Sequence, residues 1–261
     1  MTMKTIDKMT QPPLQPTASS LLDSFRTSNW HIHSYLSPCA DRSMTIPNIV
    51  EGSEELGLKT IAIVDHHPIP HQDILKNIDM HRRELTDIKT SLNISLGAEL
   101  SAYDVGKFAD SLQVNRQIPY RLYSCNHYHQ SFWKHPVKRT PRGYASHMLA
   151  ILRELIPTGR ADCIAHPFIG FYIPHLLPVC HQVTAALTDD ELVEIMELGK
   201  KFNVAWEINA NTIFYDFTFA RRYWKIGKEI GVEFRFGTDA HQLRNLMNDA
   251  PDLLFNRDIP S

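Results

Sequence analysis

From about residue 23 onward, short apolar runs rich in β-branched residues alternate with stretches of helical period. Five of the runs share one form: apolar residues closed by an ionisable one. They are TIAIVDHH (Thr60 to His67), NISLGAEL (Asn93 to Leu100), ADCIAHPF (Ala161 to Phe168), VAWEINAN (Val204 to Asn211) and VEFRFGTDAH (Val232 to His241). Between them, IPNIVEGSEELGLK predicts a helix closed by Gly57, HMLAILRELI another over 147–156, and DDELVEIMELGKKF a third over 189–202, capped by Thr188 or Asp189. Strand and helix in alternation predict βα units around a parallel sheet. Residues 1–22 are polar and proline-bearing and read as a flexible tail, leaving 23–261 as one barrel domain.

A length of 261 residues, 43% hydrophobic, suffices for one large α/β core. The net charge of -2 argues against stable nucleic-acid binding or attraction to an anionic membrane. Cys39, Cys125, Cys163 and Cys180 form no CxxC pair and read as free thiols, and the first twenty residues lack the apolar run of a secretory signal. The expectation is a cytoplasmic protein. Fourteen histidines are many for a chain of this size, and their placement gives them meaning.

In a parallel barrel the C-terminal strand ends converge on one mouth, so ionisable residues at those ends would meet there. His31 and His33, one residue apart in NWHIHS, project to one face of a strand and can reach one cation. Asp239 and His241 in GTDAH repeat the spacing, with Gly237 permitting close backbone approach. Asp65 and His66 in VDHH, Glu99 in GAE and His166 in AHP complete a mixture of carboxylates and imidazoles that suits Zn, Mn or Fe better than calcium. His67 must point away from the side that His66 faces. Glu99 could bridge two cations.

Taken in order, HIHS, IAIVDHH, GAE, AHP, EINAN and GTDAH resemble the PHP (polymerase and histidinol phosphatase) metal-dependent phosphoesterases over about residues 28–245. The resemblance implies a distorted seven-stranded TIM-like (β/α)7 barrel holding two or three divalent metals. It implies that His31, His33, Glu99 and Asp239 hold one metal and that Glu99 bridges to a second. His166 and one histidine between it and Glu99 would hold that second metal, and Asp41, His66 and His241 would surround a third position. The segment YSCNHYHQSFWKHP offers His127, His129 and His135 for the intermediate ligand; His127 closes a strand-like run and is the expected one, with His129 the alternative. Asp65 and Glu207 are candidate catalytic or supporting residues. In the basic stretch KHPVKRTPR, Arg139 or Arg142 is a candidate phosphate clamp. The pattern departs at Asn29, where the family usually has aspartate, which would weaken the outer support of the site, and at Val64, where it usually has threonine.

The expected activity is hydrolysis of a phosphate ester of a small molecule or nucleotide. An amide-cleaving enzyme on the same metal set and a non-catalytic barrel are the alternatives. Aromatic residues in the loops, among them Tyr103, Phe132, Trp133, Phe171 and Tyr172, could stack on a substrate. The sequence assigns neither substrate nor oligomeric state.

Overall fold

The computed structural model describes residues 18–67, 73–247 and 249–255. Its strands are β1 (Ser28–Ile32), β2 (Thr60–His67), β3 (Asn93–Asp104), β4 (Lys107–Phe108), β5 (Tyr120–Ser124), β6 (Cys163–Ile164), β7 (Ala205–Asn209) and β8 (Phe234–Gly237). The helices are α1 (Ala18–Arg26), α2 (Ile46–Glu55), α3 (Ile74–Thr86), α4 (Leu112–Asn115), α5 (Pro141–Leu155), α6 (His181–Ala185), α7 (Asp189–Lys201), α8 (Ala210–Tyr215), α9 (Phe217–Ile230) and α10 (Ala250–Phe255). Seven strands pair in parallel in the order β1-β2-β3-β5-β6-β7-β8, and the hairpin strand β4 pairs antiparallel with β3. The ring is nearly closed where Ile32 bridges Ala240: His33 N donates to Ala240 O (2.9 Å) and Ala240 N to His31 O (3.1 Å). This is the distorted seven-stranded TIM-like barrel of the sequence reading.

Strand parity explains how each run divides between core and site. On β2, Ala62 and Val64 belong to a small apolar cluster with Tyr120, Leu122, Cys163, Ala165 and Ala205, whereas Ile61 and Ile63 join the main core with the helices. The two-residue period carries His66 to the side of Ala62 and Val64, and Asp65 to the side of Ile61 and Ile63. On β3 the same alternation buries Ala98, Leu100 and Ala102 in the main core and turns Glu99 the other way.

The local signals largely hold. Gly57 takes φ 73° just past α2, and a Thr188–Glu191 capping box opens α7. Three boundaries differ from expectation. α1 begins at Ala18, so position 22 lies inside a helix and not at the edge of a tail; residues 1–17 lie outside those described. α5 begins at Pro141, because Thr140 accepts a hydrogen bond from Gly143 N as its cap. β6 spans only Cys163–Ile164, since the chain then turns into left-handed backbone at His166 (φ 27°) and Phe168 (φ 66°). No described helix is long and apolar enough to cross a membrane.

Candidate metal centre

His31, His33, His66, Glu99, His166 and Asp239 do meet at the mouth. His31 and His33 stand on either side of Ile32 where β1 joins the chain after β8, and a register irregularity between Asn29 and Ile32 adjusts their aim. Their Nε2 atoms lie 3.0 Å apart, and His33 Nε2 is also 3.0 Å from Asp239 Oδ1. His31 Nε2 is 3.4 Å from the same oxygen. Glu99 divides its oxygens between two groups. Oε1 faces His166 Nε2 (3.1 Å) and His127 Nε2 (3.4 Å), while Oε2 faces His66 Nδ1 (2.7 Å) and both His31 and His33 Nε2 (3.7 Å each). Three overlapping sets have donor atoms mutually within 4.8 Å: His33, His66 and His241; His31, His33 and Asp239; and His31, Glu99 and His166.

The donor set fits divalent cations on a specific observation. His31 Nε2, His33 Nε2 and Asp239 Oδ1 converge within 3.4 Å of one another. Glu99 Oε2, 1% exposed as a residue, accepts no hydrogen bond although His66 Nδ1 is 2.7 Å away. Buried polar atoms left in this way are costly unless something else engages them. Two members of the set, His166 (φ 27°) and Asp239 (φ 54°), also hold left-handed backbone, a strain on the order of 1–3 kcal/mol each that persists only where the surroundings enforce it.

Charge is strongly polarised within the set. Burial opposes charge on His66, but Glu99 outweighs it and lifts the imidazole to about 10. Burial and the neighbouring imidazoles of His66 and His241 push His33 down to about 3, so it is neutral and offers a lone pair. Burial alone would raise Glu99 and Asp239, yet the surrounding histidines hold both well below the usual carboxylate range. Burial drives His127 well below the imidazole range despite Glu99.

Outer contacts fix the rings. Glu207, from β7, accepts from His31 Nδ1 (2.9 Å) with Oε1 and from His166 N with Oε2. Asn126 donates through Nδ2 to His166 O (2.9 Å) and Ile169 O, so its Oδ1 is left to accept from His166 Nδ1 (3.1 Å). The carbonyl of Asp239 accepts from His241 Nδ1 (2.8 Å). Asn29 does not touch the His31 ring. It donates to Thr238 Oγ1 (2.7 Å) and Leu246 O (2.8 Å) and accepts from His31 N and Thr238 N, tying β1 to the chain after β8. The support expected of a carboxylate at position 29 comes instead from Glu207.

Several expectations change in the structure. His127 is buried against Glu99 and His166, whereas His129 is exposed and pairs with Gln130, and His135 pairs with Tyr144. Asp41 does not join the cluster; its exposed carboxylate accepts from Ser43 N (2.8 Å) and stabilises its own turn. Asp65 is buried on the far side of β2. There it accepts from Ser34 N, Ser34 Oγ and Ser37 Oγ and pairs with His81 Nε2 (2.7 Å), so it builds the site without facing it. Arg142 is exposed at the start of α5, bound to Glu191 and Ala186 O, and cannot clamp a substrate at the mouth. Among the described residues no Lys or Arg lines the cavity of about 330 Å³ that opens over His66, His127, Asp239 and His241.

Two residues of the mouth take places that the sequence did not assign them, Tyr172 having been only a candidate stacking aromatic and Cys39 only a free thiol. Tyr172, in a short 3-10 turn, donates to Asp239 Oδ2 (2.8 Å) and packs on His127 and His166. Cys39 lines the cavity beside His66 and His241; burial raises its thiol, but the two imidazoles outweigh this and bring it down to about 6. Of the loop aromatics, Phe132 lines the cavity, Trp133 is buried against His127, and Phe171 stacks on Tyr215 away from it.

No protein-family model matches the sequence, and no curated protein does. Solved structures do. The histidinol phosphate phosphatase of Lactococcus lactis subsp. lactis Il1403, solved with zinc, L-histidinol and phosphate, superposes with a TM-score of 0.58 at 15% identity, over 88% of this chain and 92% of that one. This chain shares the barrel fold of that enzyme. A Listeria monocytogenes protein assigned as a histidinol phosphatase gives a TM-score of 0.57 at 12% identity, over 84% of this chain and 96% of that one. The shared barrel thus extends over most of this chain and most of both neighbours.

Proposed function

We propose that the chain is a metal-dependent phosphoesterase that hydrolyses a small phosphorylated substrate. The observation that carries this reading is the convergence of His31, His33, Glu99 and Asp239 at the barrel mouth, with Glu99 presenting one oxygen to His127 and His166 and the other to His31, His33 and His66. Such a carboxylate is suited to lie between two cations. His31, His33 and Asp239 would hold one, His127 and His166 the other, and His66 and His241 a third position. When bound, the cations supply an acidified water and neutralise charge on a phosphoryl group.

The protein's own contribution is orientation and dryness. Glu207 and Asn126 fix the His31 and His166 rings through their Nδ1 atoms and so aim Nε2 inward. Tyr172 holds Asp239 and closes one wall of the cavity. Because no Lys or Arg among the described residues lines that cavity, an anionic substrate would rely on the cations and imidazoles for recognition. The acidic net charge and the modest cavity favour a small molecule over a polymer. The zinc-, histidinol- and phosphate-bound Lactococcus lactis enzyme of the same fold supports both zinc and a small phosphomonoester.

Elemental analysis of the purified protein, paired with phosphate release from p-nitrophenyl phosphate, histidinol phosphate and nucleotides, tests the reading. Bound metal and activity that is lost in His33→Ala are expected. Bound metal with cleavage of cyclic amides and no phosphate release would replace it with the amide-cleaving alternative, and a protein that takes up no metal would end it.

A further inference from the structure

Behind the His33 ring stands a hydroxyl: Ser37 Oγ lies 3.3 Å from His33 Nδ1, and both residues are fully buried. We propose that Ser37 is a positioning residue for the metal centre, its proton committed to Asp65 so that it can only accept from His33, which fixes that ring with the proton on Nδ1 and a bare Nε2 toward the cations. Glu207 and Asn126 hold His31 and His166 in the same state directly. This inference rests on the metal-centre reading above, but the state of the ring is measurable without metal.

A serine hydroxyl carries one proton. That of Ser37 goes to Asp65: Oγ lies 2.7 Å from Oδ1 of a carboxylate that also faces Ser34 N (2.8 Å), Ser34 Oγ (2.8 Å) and His81 Nε2 (2.7 Å). A carboxyl group met by four donors is held in its ionised form and only accepts, so the proton in the short contact belongs to the serine. Ser37 Oγ is left with lone pairs alone. It accepts from His66 N (3.3 Å) and from His33 Nδ1 (3.3 Å). A neutral imidazole that donates from Nδ1 has no proton on Nε2, and His33 Nε2 is the atom 3.0 Å from both His31 Nε2 and Asp239 Oδ1.

The surrounding contacts keep the hydroxyl in place. Ser37 N donates to Ser34 O (2.9 Å) and Ala40 N to Ser37 O (2.9 Å), so residues 34–40 form a tight double turn. The Ser37 hydroxyl pins one side of it to β2 at Asp65. The other side is pinned to the chain after β8, because Asp41 N donates to His241 O (2.8 Å). Behind Asp65, His81 on α3 shares its Nε2 proton between Asp65 Oδ2 and Ser34 Oγ (3.0 Å) and turns Nδ1 to Glu84 Oε2 (3.3 Å). Asp65 is thus supplied with protons from both sides and has none to return to Ser37.

Nitrogen-15 NMR of the full chain, labelled at histidine, stripped of metal by chelation and held near neutral pH, reads which ring nitrogen carries the proton. The His33 signals are those missing from His33→Gln. In the unmutated protein Nδ1 is expected to be protonated and Nε2 bare. In Ser37→Ala the proton should pass to Nε2, where Asp239 Oδ1 accepts it, and zinc affinity, measured against a chromophoric chelator, should fall about 10- to 100-fold. A proton on Nε2 in the unmutated protein, a ring state unchanged in Ser37→Ala, or an unchanged zinc affinity overturns the role of Ser37 and leaves the metal centre in place. If Ser37→Ala does not fold, the ring state of the unmutated protein decides alone. An unmutated protein that takes up no zinc overturns the metal-centre reading and, with it, this one.

Discussion

Glu207 Oε1 accepts a hydrogen bond from His31 Nδ1 at 2.9 Å, although 176 residues separate the two. Both side chains are buried, and the second oxygen of Glu207 is engaged by His166 N. One carboxylate therefore orients one imidazole and the backbone beside another. A ligand-binding atom is only as well placed as the contact behind it. Glu207→Gln should keep the protein folded but reduce zinc affinity by about 10- to 100-fold, as outer-sphere partners do elsewhere. Competition with a chromophoric chelator measures this, and unchanged affinity would remove Glu207 from the supporting set.

Gly237 sits against the same pair. A Cβ at that position would lie 2.1 Å from Glu207 Oε1 and 2.7 Å from His31 Cβ. Gly237→Ala must displace one of the two, so a stability loss of about 1–3 kcal/mol, as for other overpacked sites, is expected together with weaker metal binding. Urea unfolding with and without zinc reads both effects.

Asp65 lies below the mouth and is a stability residue. Burial alone would raise it, but His81, with Ser37 and His33, brings it from 3.8 down to about 2. A depressed carboxylate contributes stability that is present above its unfolded value of 3.8 and is lost as pH falls through about 2. The same pairing raises His81, whose contribution is full below the ordinary imidazole range and fades at higher pH. Asp65→Asn in the metal-free protein should therefore cost on the order of 2 kcal/mol near neutrality. The difference from wild type should shrink between pH 4 and pH 2, and a constant difference in urea melts across that range would contradict it.

Tyr172 donates to Asp239 Oδ2 at 2.8 Å, and Tyr172→Phe leaves that carboxylate oxygen without its partner. A loss of about 1.5–3 kcal/mol, typical of a hydrogen bond to a charged group, is expected in the metal-free protein. Chemical denaturation of the two proteins side by side gives the value.

Zinc should stabilise the chain by mass action. At a free concentration one hundred times its dissociation constant the gain is about 2.7 kcal/mol for one site, and His33→Ala should lose most of it. Thermal unfolding after chelation and after zinc addition makes the comparison. A melting temperature indifferent to both would count against a native metal centre.

The sequence by itself determined the barrel and most of its mouth, because both follow from local periodicity. The two-residue period of β2 separates His66 from Asp65 and His67, and the parallel register sets His66 beside Glu99 of β3. His127, three residues past the end of β5, is buried beside Glu99, whereas His129 is exposed. Tertiary structure alone decided what lies outside any period. Cys39 and Asp41 are two residues apart in an irregular turn, and the pins at Asp65 and His241 determine that the thiol lines the cavity while the carboxylate turns outward. The replacement of Asn29 by Glu207 as the support of His31, and the pairing that takes Arg142 to Glu191, are likewise contacts between distant segments. Such contacts depend on how the chain closes into a ring, and no short window of sequence contains that information.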